Sequence, residues 1–292
     1  VTFSFTSSKQ ARLFTPPGLQ TVSVADDKRG DEGVLRPSIL CGLLACRKAN
    51  QDGRVHAEGG IRLFELAAVY GENAGASIEH RNVALLLDAP VGGSAFERRQ
   101  AGVRLIRGAI EQLARSLSGE ALTFEVPRAL PFSALDPAAS AAVSLGGKPL
   151  GVMGIITPAA QSLYDLQNPV AVAELNVERL IAGYPPRAAV KELPLFPPVE
   201  RDLSADVDER TSWASIVSVI ESWSPGTGGL LEDCRFVTTY RDKPLDTGKK
   251  SVTFRMTFRD AARTLRDDDV NPHVDRLMSS LREKVGAAFR SA

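Results

Sequence analysis

The order of elements predicted after a proline-rich segment most restricts the fold of this chain. Residues 183–202, GYPPRAAVKELPLFPPVERD, hold five prolines and no hydrophobic periodicity, which predicts an extended connector. After it, the patterns predict a strand at 201–207, a helix at 212–223, strands at 232–242 and 251–260, and a helix at 271–289. This β-α-β-β-α order, with room for a short last strand, is the ferredoxin-like plan, in which two helices cover one sheet face.

The part of the chain before the connector predicts a mixed, mostly antiparallel α+β domain. Strands are predicted at 1–7, 21–26, 61–71, 82–89, 122–127, 141–158 and 170–180. The segment 141–158 is a hairpin that turns on Gly146-Gly147, and 71–81 is predicted as a hairpin loop. Helices are predicted at 38–50, 94–119 and 158–166. We therefore place one domain at 1–190, a proline-rich linker at 191–198 and a second domain at 199–292.

Charge and cysteine content exclude some classes of protein. Lys plus Arg and Asp plus Glu number 35 each among 292 residues, so the net charge of zero argues against a protein that binds polyanions with its whole surface. A nucleic-acid role therefore requires local clustering of cations. Three cysteines without metal-type spacing indicate free thiols in a reducing compartment. The apolar runs are too short for a membrane-spanning helix, and no signal peptide is recognisable.

Such clustering occurs around the last two predicted strands. In 251–260 apolar residues alternate with hydroxyl-bearing and basic residues, and Tyr240 lies near the end of the preceding predicted strand. The window from Arg235 to Arg266 contains nine Lys or Arg and three Asp, a net charge of +6. An exposed face of this kind suits RNA, because cations bind phosphates and tyrosine stacks on bases. The alternative, which stays open, is a solvated sheet face whose arginines pair with scattered acids.

Other candidate motifs are weak. Asp267, Asp268 and Asp269 are able to bind Mg²⁺, but acids are also favoured at a helix N-terminus, and we prefer that reading. The three histidines, His56, His80 and His273, lack ligand or catalytic neighbours at suitable spacing and are interpreted as structural or surface residues. No nucleophile elbow, P-loop or dinucleotide-binding glycine motif occurs.

The whole chain resembles the C-terminal part of the bacterial phenylalanine–tRNA ligase β subunit. In the second half the resemblance rests on FPPVERDLSADVD, TTYRDKPLDTGKKSVTFRMTFRDAARTL and the terminal GAAFR, which resemble a ferredoxin-fold anticodon-binding domain. In the first half it rests on TFSF, RPSILCGLL, RLFELAAVY, GVMGIITP and VAVAELNVERL. These segments resemble a degenerate class II synthetase-like antiparallel-sheet domain.

The resemblance implies an α₂β₂ cytoplasmic enzyme that uses ATP and Mg²⁺ to attach phenylalanine to its tRNA. Its α subunit does the chemistry, while the β subunit supports assembly, editing and tRNA recognition. Catalysis in this class needs an Arg-x-Glu strand motif and a glycine-rich strand that ends in Arg. The segment RLFE (62–65) lacks that spacing, and the glycine-rich strand does not occur. We therefore expect a non-catalytic chain without a cofactor of its own, whose partners are the α subunit and tRNA and not a membrane.

The resemblance also assigns candidate contact residues. Tyr240 resembles the family's platform for an anticodon base, and Ser251 a hydrogen-bond partner of that base. The family often has Asp where this chain has Thr238, so guanine reading is softer here or another acid substitutes. Further tRNA contacts are expected from Lys249, Lys250, Arg255, Arg259 and Arg263. Contacts with the α subunit are expected from Arg36, Leu40 and Leu44, although the two leucines are equally compatible with a place in the core.

Two readings of the complete protein remain. The chain begins with Val1 inside a predicted strand, so we expect a piece of a longer β subunit that lacks the upstream oligonucleotide-binding, editing and Mg²⁺-binding modules. The alternative is a stand-alone synthetase-like protein with a regulatory or scaffolding role. A neighbouring α-subunit gene and an upstream extension of the reading frame would favour the first reading.

Overall fold

The computed structural model describes residues 2–24, 30–90, 92–186, 193–243 and 245–289. The chain divides into two compact units, Val1–Ala189 and Val190–Ala292. Residues 191–192 of the predicted linker lie outside the described residues, and residues 193–198 contain neither helix nor strand.

The first unit is built on a six-stranded, wholly antiparallel sheet. Its strands are β3 (Arg62–Asn73), β4 (Ala76–Asp88), β5 (Leu122–Glu125), β6 (Leu135–Leu145), β7 (Lys148–Ile156) and β8 (Val170–Asn176). They lie in the order β3-β4-β8-β7-β6-β5. A separate two-stranded ribbon joins β1 (Phe5–Thr6) to β2 (Val34–Leu35). The helices are α1 (Ser8–Phe14), α2 (Leu40–Asp52), α3 (Ala95–Ser118), α4 (Pro158–Leu163) and α5 (Val177–Ile181).

Helices pack on this sheet around two apolar clusters. One cluster joins Leu40 and Leu44 of α2 to Val69 of β3, and Phe14 of α1 belongs to it. The other joins Ile106 and Ile110 of α3 to residues of β7 and β8. The spacing of four between Ile106 and Ile110 places both side chains on one stripe of the helix, which explains why α3 packs there.

Capping residues set the helix ends, and one of them corrects the predicted first strand. Ser94 and Glu97 form a capping box at the start of α3, and Gly119 ends that helix with a φ of 74°. The strand predicted at 1–7 is wrong beyond Phe5–Thr6, because Ser7 and Gln10 form a second capping box that begins α1. That helix was not predicted, because the alternation of apolar and polar residues in 1–7 indicates a strand.

Two other predictions for the first unit need correction. The expected hairpin loop at 71–81 is mostly strand, because β3 and β4 extend to a tight turn at Ala74-Gly75 with φ values of 50° and 81°. Of the strand predicted at 21–26, residues 21–24 show only a bridge between Ser23 and Val34, and residues 25–26 lie outside the described residues. The hairpin on Gly146-Gly147 is confirmed.

The second unit is a four-stranded antiparallel sheet with two helices. Its elements are β9 (Val199–Asp208), α6 (Trp213–Trp223), β10 (Leu231–Tyr240), β11 (Lys249–Phe258), α7 (Asp267–Val285) and β12 (Ala288–Phe289). The strand order is β10-β11-β9-β12. Phe254 and Phe258 of β11 are fully buried in one cluster with Ile216 of α6 and Leu277 of α7, so both helices cover the same face. The ferredoxin-like plan, including its short last strand, is confirmed.

The starts of these two helices are set in different ways. Ser212 caps α6 by accepting a hydrogen bond from the amide of Ser215. The helix α7 begins at Asp267 rather than at the predicted residue 271, and it ends at Val285 rather than at 289. Asp267, Asp268 and Asp269 occupy the first turn, where acids complement the helix dipole. No helix in the described part of the chain is long and apolar enough to cross a membrane.

Candidate nucleic-acid interface

Strand register brings four of the predicted RNA-contacting residues, Thr238, Tyr240, Ser251 and Arg255, together on the sheet face that the helices leave uncovered. Tyr240 of β10 lies opposite Ser251 of β11, which lies opposite Asp206 of β9. The next row consists of Thr238, Thr253 and Ser204, and the row after it of Arg235, Arg255 and Asp202. Residues directly opposite in antiparallel strands share a face, so these nine side chains form one surface. We call it the outer face.

A β-bulge in β10 keeps Tyr240 on the outer face. Phe236 pairs with Phe254 and Thr238 pairs with Thr253, so Val237 is an extra residue without a partner in the register. Phe236 therefore points towards the helices, where its ring contacts Trp213 edge-on at 5.7 Å between centroids. Beyond the bulge, Thr238 and Tyr240 return to the outer face. Tyr240 is 45% exposed, as a stacking platform requires.

A cleft of about 530 Å³ opens beside Tyr240. It is lined by Asp202, Leu203, Ser204, Tyr240, Ser251, Thr253, Met278 and Phe289. The hydroxyl oxygens of Ser204 and Thr253 are 2.8 Å apart, and the Tyr240 hydroxyl donates to the carbonyl oxygen of Lys243 at 2.7 Å. The tyrosine ring is thus anchored to the turn that connects β10 and β11.

The outer face is not the free cationic surface that the composition of β10 and β11 suggested. Arg255 makes a two-pronged contact with Asp202, with N–O distances of 2.6 and 2.7 Å, and a third contact of 3.0 Å with Glu200. Arg255 donates these hydrogen bonds to Asp202, and they lower the pKa of the Asp202 carboxyl and raise the pKa of the Arg255 guanidinium. The alternative left open by the sequence, in which arginines pair with acids, is therefore correct for Arg255.

Most of the other predicted cationic contacts also have partners. Arg259 contacts Glu232 at 2.8 Å, and Arg263 contacts both carboxylate oxygens of Asp269 at 2.7 and 2.9 Å. Arg263 thereby lowers the pKa of Asp269 to about 2. The Lys250 ammonium donates to the carbonyl oxygen of Glu209 at 2.7 Å. Lys249 is exposed, and its ammonium has no ion-pair partner among the residues that the structure describes.

The charge count from Arg235 to Arg266 omitted the acids that lie beside β11, because they belong to β9, which comes before that window. β9 places Glu200, Asp202, Ser204, Asp206 and Asp208 at alternating positions, and the register puts them beside β11 on the outer face. The signal was present in VERDLSADVD, where every second residue is an acid or a serine. Recognising it required knowing that β9, and not only β10, pairs with β11.

Thr238 occupies the position at which the resembled family often has an aspartate. Thr238 lies on the outer face, two residues before Tyr240, and offers only a hydroxyl. Asp206 shares the row of Tyr240 and Ser251, so one carboxylate does lie in the neighbourhood of the proposed base site.

The three residues expected to contact the α subunit, Arg36, Leu40 and Leu44, are buried in the first unit. Leu40 and Leu44 are fully buried in the cluster beneath α2, so their side chains belong to the core. Arg36 is also buried, with 4% exposure, and its guanidinium donates to Glu65 at 3.3 Å, to the Thr2 hydroxyl at 2.7 Å and to the Ala68 carbonyl at 3.0 Å. The helical spacing of the two leucines indicates that they are buried. Nothing in the sequence indicates that Glu65 pairs with Arg36.

Two acids in the first turn of α7 have ion-pair partners. Asp267 contacts Arg201, and Asp269 contacts Arg263 and accepts a hydrogen bond from the amide of Arg266. Within the described ranges, no three His, Cys, Asp or Glu residues are grouped as a metal site would require. Asp267 and Asp269 are thus accounted for by ion pairs and by the helix start.

Two family models match the chain, one for each unit. Residues 1–177 match the model described as "Phenylalanyl tRNA synthetase beta chain CLM domain". Residues 194–290 match the model described as "Ferredoxin-fold anticodon binding domain". A solved structure of pyrrolysyl tRNA synthetase from Desulfitobacterium hafniense is similar over 62% of this chain and 60% of that one, with 20% identity and a TM-score of 0.43.

Relatives with both units are β subunits of one enzyme. Proteins named "Phenylalanine--tRNA ligase beta subunit" are 29% identical in Symbiobacterium thermophilum, over 94% of this chain and 30% of the relative, and 27% identical in Dehalococcoides mccartyi, over 100% and 35%. The relative in Pseudomonas fluorescens is 29% identical over 99% and 36%. The chain spans about a third of the length of these curated relatives. Because a family model covers residues 1–177 of 292, the chain belongs to the phenylalanyl-tRNA synthetase β-chain family.

Proposed function

We propose that this chain is the C-terminal part of a phenylalanine–tRNA ligase β subunit, in which the second unit binds the anticodon loop of the tRNA. The outer face with its exposed Tyr240 carries this proposal, because proteins read single-stranded RNA loops by stacking bases on aromatic rings and bonding to their edges. Ser251 lies beside Tyr240 in the same row and is only 9% exposed, so its hydroxyl would form such a bond from within the cleft that it lines.

The first unit, in this proposal, joins the α subunit and does no chemistry itself. Glu65, the acid of the RLFE segment, accepts hydrogen bonds from Arg36 and Thr2 and is only 8% exposed, so its carboxylate is not accessible to a substrate. Phe14 and Phe132 pack edge to face, with 5.7 Å between ring centroids, in the cluster on the α2 side of the sheet. Packed side chains therefore cover this side of the sheet. ATP and Mg²⁺ would then be used by the complete cytoplasmic α₂β₂ enzyme and not by this chain.

The proposal is tested by separating chemistry from RNA binding. We expect the 292-residue chain alone to give no phenylalanine-dependent exchange of pyrophosphate into ATP, yet to bind a labelled anticodon stem-loop of the phenylalanine tRNA. It should bind a stem-loop with a changed first anticodon base more weakly. Co-purification with the α chain of the same organism tests the assembly role. Exchange activity in the chain alone, or equal binding of both stem-loops, would contradict the proposal.

A further inference from the structure

The cations near Tyr240 fall into two groups that differ in their partners. Arg255, Arg259 and Arg263 each contact a carboxylate at 3.0 Å or less. Arg241 likewise contacts both carboxylate oxygens of Glu209, at distances from 2.9 to 3.1 Å. A carboxylate beside a guanidinium cancels much of its positive potential and also repels a phosphate, so a phosphate gains less there than at an unpaired cation. These arginines are therefore weaker phosphate ligands than unpaired cations.

Lys243 and Lys249 belong to the second group, and so does Arg235, which lies two rows away from Tyr240 on the outer face. Both lysines are exposed, and in the part of the chain that the structure describes neither ammonium has a hydrogen bond or ion pair. Asp208 is opposite Lys249 in the register, but its carboxylate accepts from the amide of Arg210 at 3.0 Å. An exposed ammonium without a carboxylate partner is free to bind a phosphate without breaking an existing contact.

Both lysines also lie close to the stacking platform. The Tyr240 hydroxyl donates to the Lys243 carbonyl at 2.7 Å, which holds this part of the turn beside the ring. Lys249 is two residues before Ser251 on β11, and alternate residues of a strand share a face, so Lys249 lies on the same side as Ser251 and Tyr240. A nucleotide whose base stacks on Tyr240 has its own phosphates within reach of residues at this end of the sheet.

We propose that Lys243 and Lys249 bind the phosphates that flank the base stacked on Tyr240, whereas Arg255, Arg259 and Arg263 hold the sheet and α7 together. This inference rests on the proposed function and deepens it, because it names the phosphate-binding residues of the same site. It also differs from the sequence-based expectation that Arg255, Arg259 and Arg263 contact the tRNA. Lys243 was not predicted at all, since its exposed turn has no periodic pattern to place it.

The test is the salt dependence of binding to the labelled anticodon stem-loop, measured with the 292-residue chain. We expect Lys243→Gln and Lys249→Gln each to reduce the slope of log affinity against log salt by about 0.7, the value per phosphate contact in single strands, and the double variant by about 1.4. Lys243→Arg and Lys249→Arg, which keep the charge, should retain the wild-type slope. Tryptophan fluorescence of Trp213 and Trp223 verifies that each variant keeps its second unit folded.

The matched control removes an existing ion pair without changing net charge. Arg255→Gln combined with Asp202→Asn should leave the salt slope unchanged, because the paired guanidinium contributes no phosphate contact. A lower salt slope in this control, or a wild-type salt slope in the lysine double variant, would overturn the inference. The proposed function would still stand in that case if Tyr240→Ala weakened binding of the stem-loop. If the wild-type chain did not bind the stem-loop, the proposed function itself would fail.

Discussion

Glu65→Ala is expected to lower the free energy of unfolding of the first unit by about 3–5 kcal/mol, the usual cost of removing one partner of a buried ion pair. The variant leaves the Arg36 guanidinium, only 4% exposed, without its carboxylate. It also removes the acceptor of two hydrogen bonds from Thr2, at 3.2 Å from the amide and 2.7 Å from the hydroxyl. The remaining contacts of Arg36 with carbonyl and hydroxyl oxygens do not neutralise its charge.

Hydrogen exchange in α2 and β3 measures this loss locally. Both tryptophans, Trp213 and Trp223, lie in the second unit, so fluorescence-detected denaturation follows that unit separately. The matched control is Glu111→Ala, which removes an exposed partner of Arg107 four residues away on α3. It should cost only about 0.3–0.5 kcal/mol. Equal losses in the two variants would mean that the Arg36–Glu65 pair does not stabilise the unit as a buried pair should.

The same pair predicts how acid affects the first unit. Burial raises the pKa of Glu65, but the hydrogen bonds from Thr2 and the charge of Arg36 outweigh burial and lower the pKa below its ordinary value of 4.5. A lowered pKa in the folded state stabilises the fold fully above the unfolded-state pKa, and this contribution is lost as the pH falls through the folded-state value. The difference in unfolding free energy between wild type and Glu65→Ala should therefore shrink below a pH of about 4.5.

Tyr240→Ala is expected to weaken binding of the anticodon stem-loop by about 1–3 kcal/mol, which is the loss of one base–aromatic stack. Tyr240→Phe keeps the ring and removes only the hydrogen bond to the Lys243 carbonyl, so most of the affinity should remain. In the complete enzyme, phenylalanine-dependent pyrophosphate exchange should be unchanged, whereas the Michaelis constant for tRNA should rise.

The control for this prediction is an exposed aromatic residue elsewhere. Phe96 is 65% exposed at the start of α3 in the first unit, and Phe96→Ala should leave stem-loop binding unchanged. A similar loss from both alanine variants would indicate a nonspecific effect of removing surface aromatics. Damage to pyrophosphate exchange by Tyr240→Ala would instead indicate that the assignment of the second unit to anticodon binding is wrong.

The sequence predicted elements well where one pattern dominated. The spacing of Ile106 and Ile110 and the glycine at 119 predicted α3 nearly to its ends, and the alternation in β11 predicted which residues would be buried. Helix starts were less reliable, because α1 begins after its cap Ser7 inside a segment whose pattern predicted a strand, and α7 begins at Asp267, before its predicted start. The capping signals are short and compete with longer patterns.

The sequence predicted that Tyr240 and Arg255 lie on one sheet face, but it did not predict which acids pair with Arg255. Tyr240 and Arg255 share the outer face as expected, since they derive from two strands joined by a short turn. The partners of Arg255 are Asp202 and Glu200, more than 50 residues earlier, and only the pairing of β9 with β11 brings them close. Charge counted along the chain cannot anticipate neutralisation by a strand that is distant in sequence.

The extra residue at Val237 makes β10 tolerant of a deletion at one position only. The bulge absorbs Val237, so a chain without this residue would still place Phe236 opposite Phe254 and Thr238 opposite Thr253. Tyr240 would remain opposite Ser251 on the outer face, in a regular strand instead of a bulged one. A deletion of Thr239 would instead place Tyr240 opposite Val252 and direct its ring at α6 and α7, because side chains alternate along a strand. In an alignment the two gaps would look alike, yet only the second would abolish the platform.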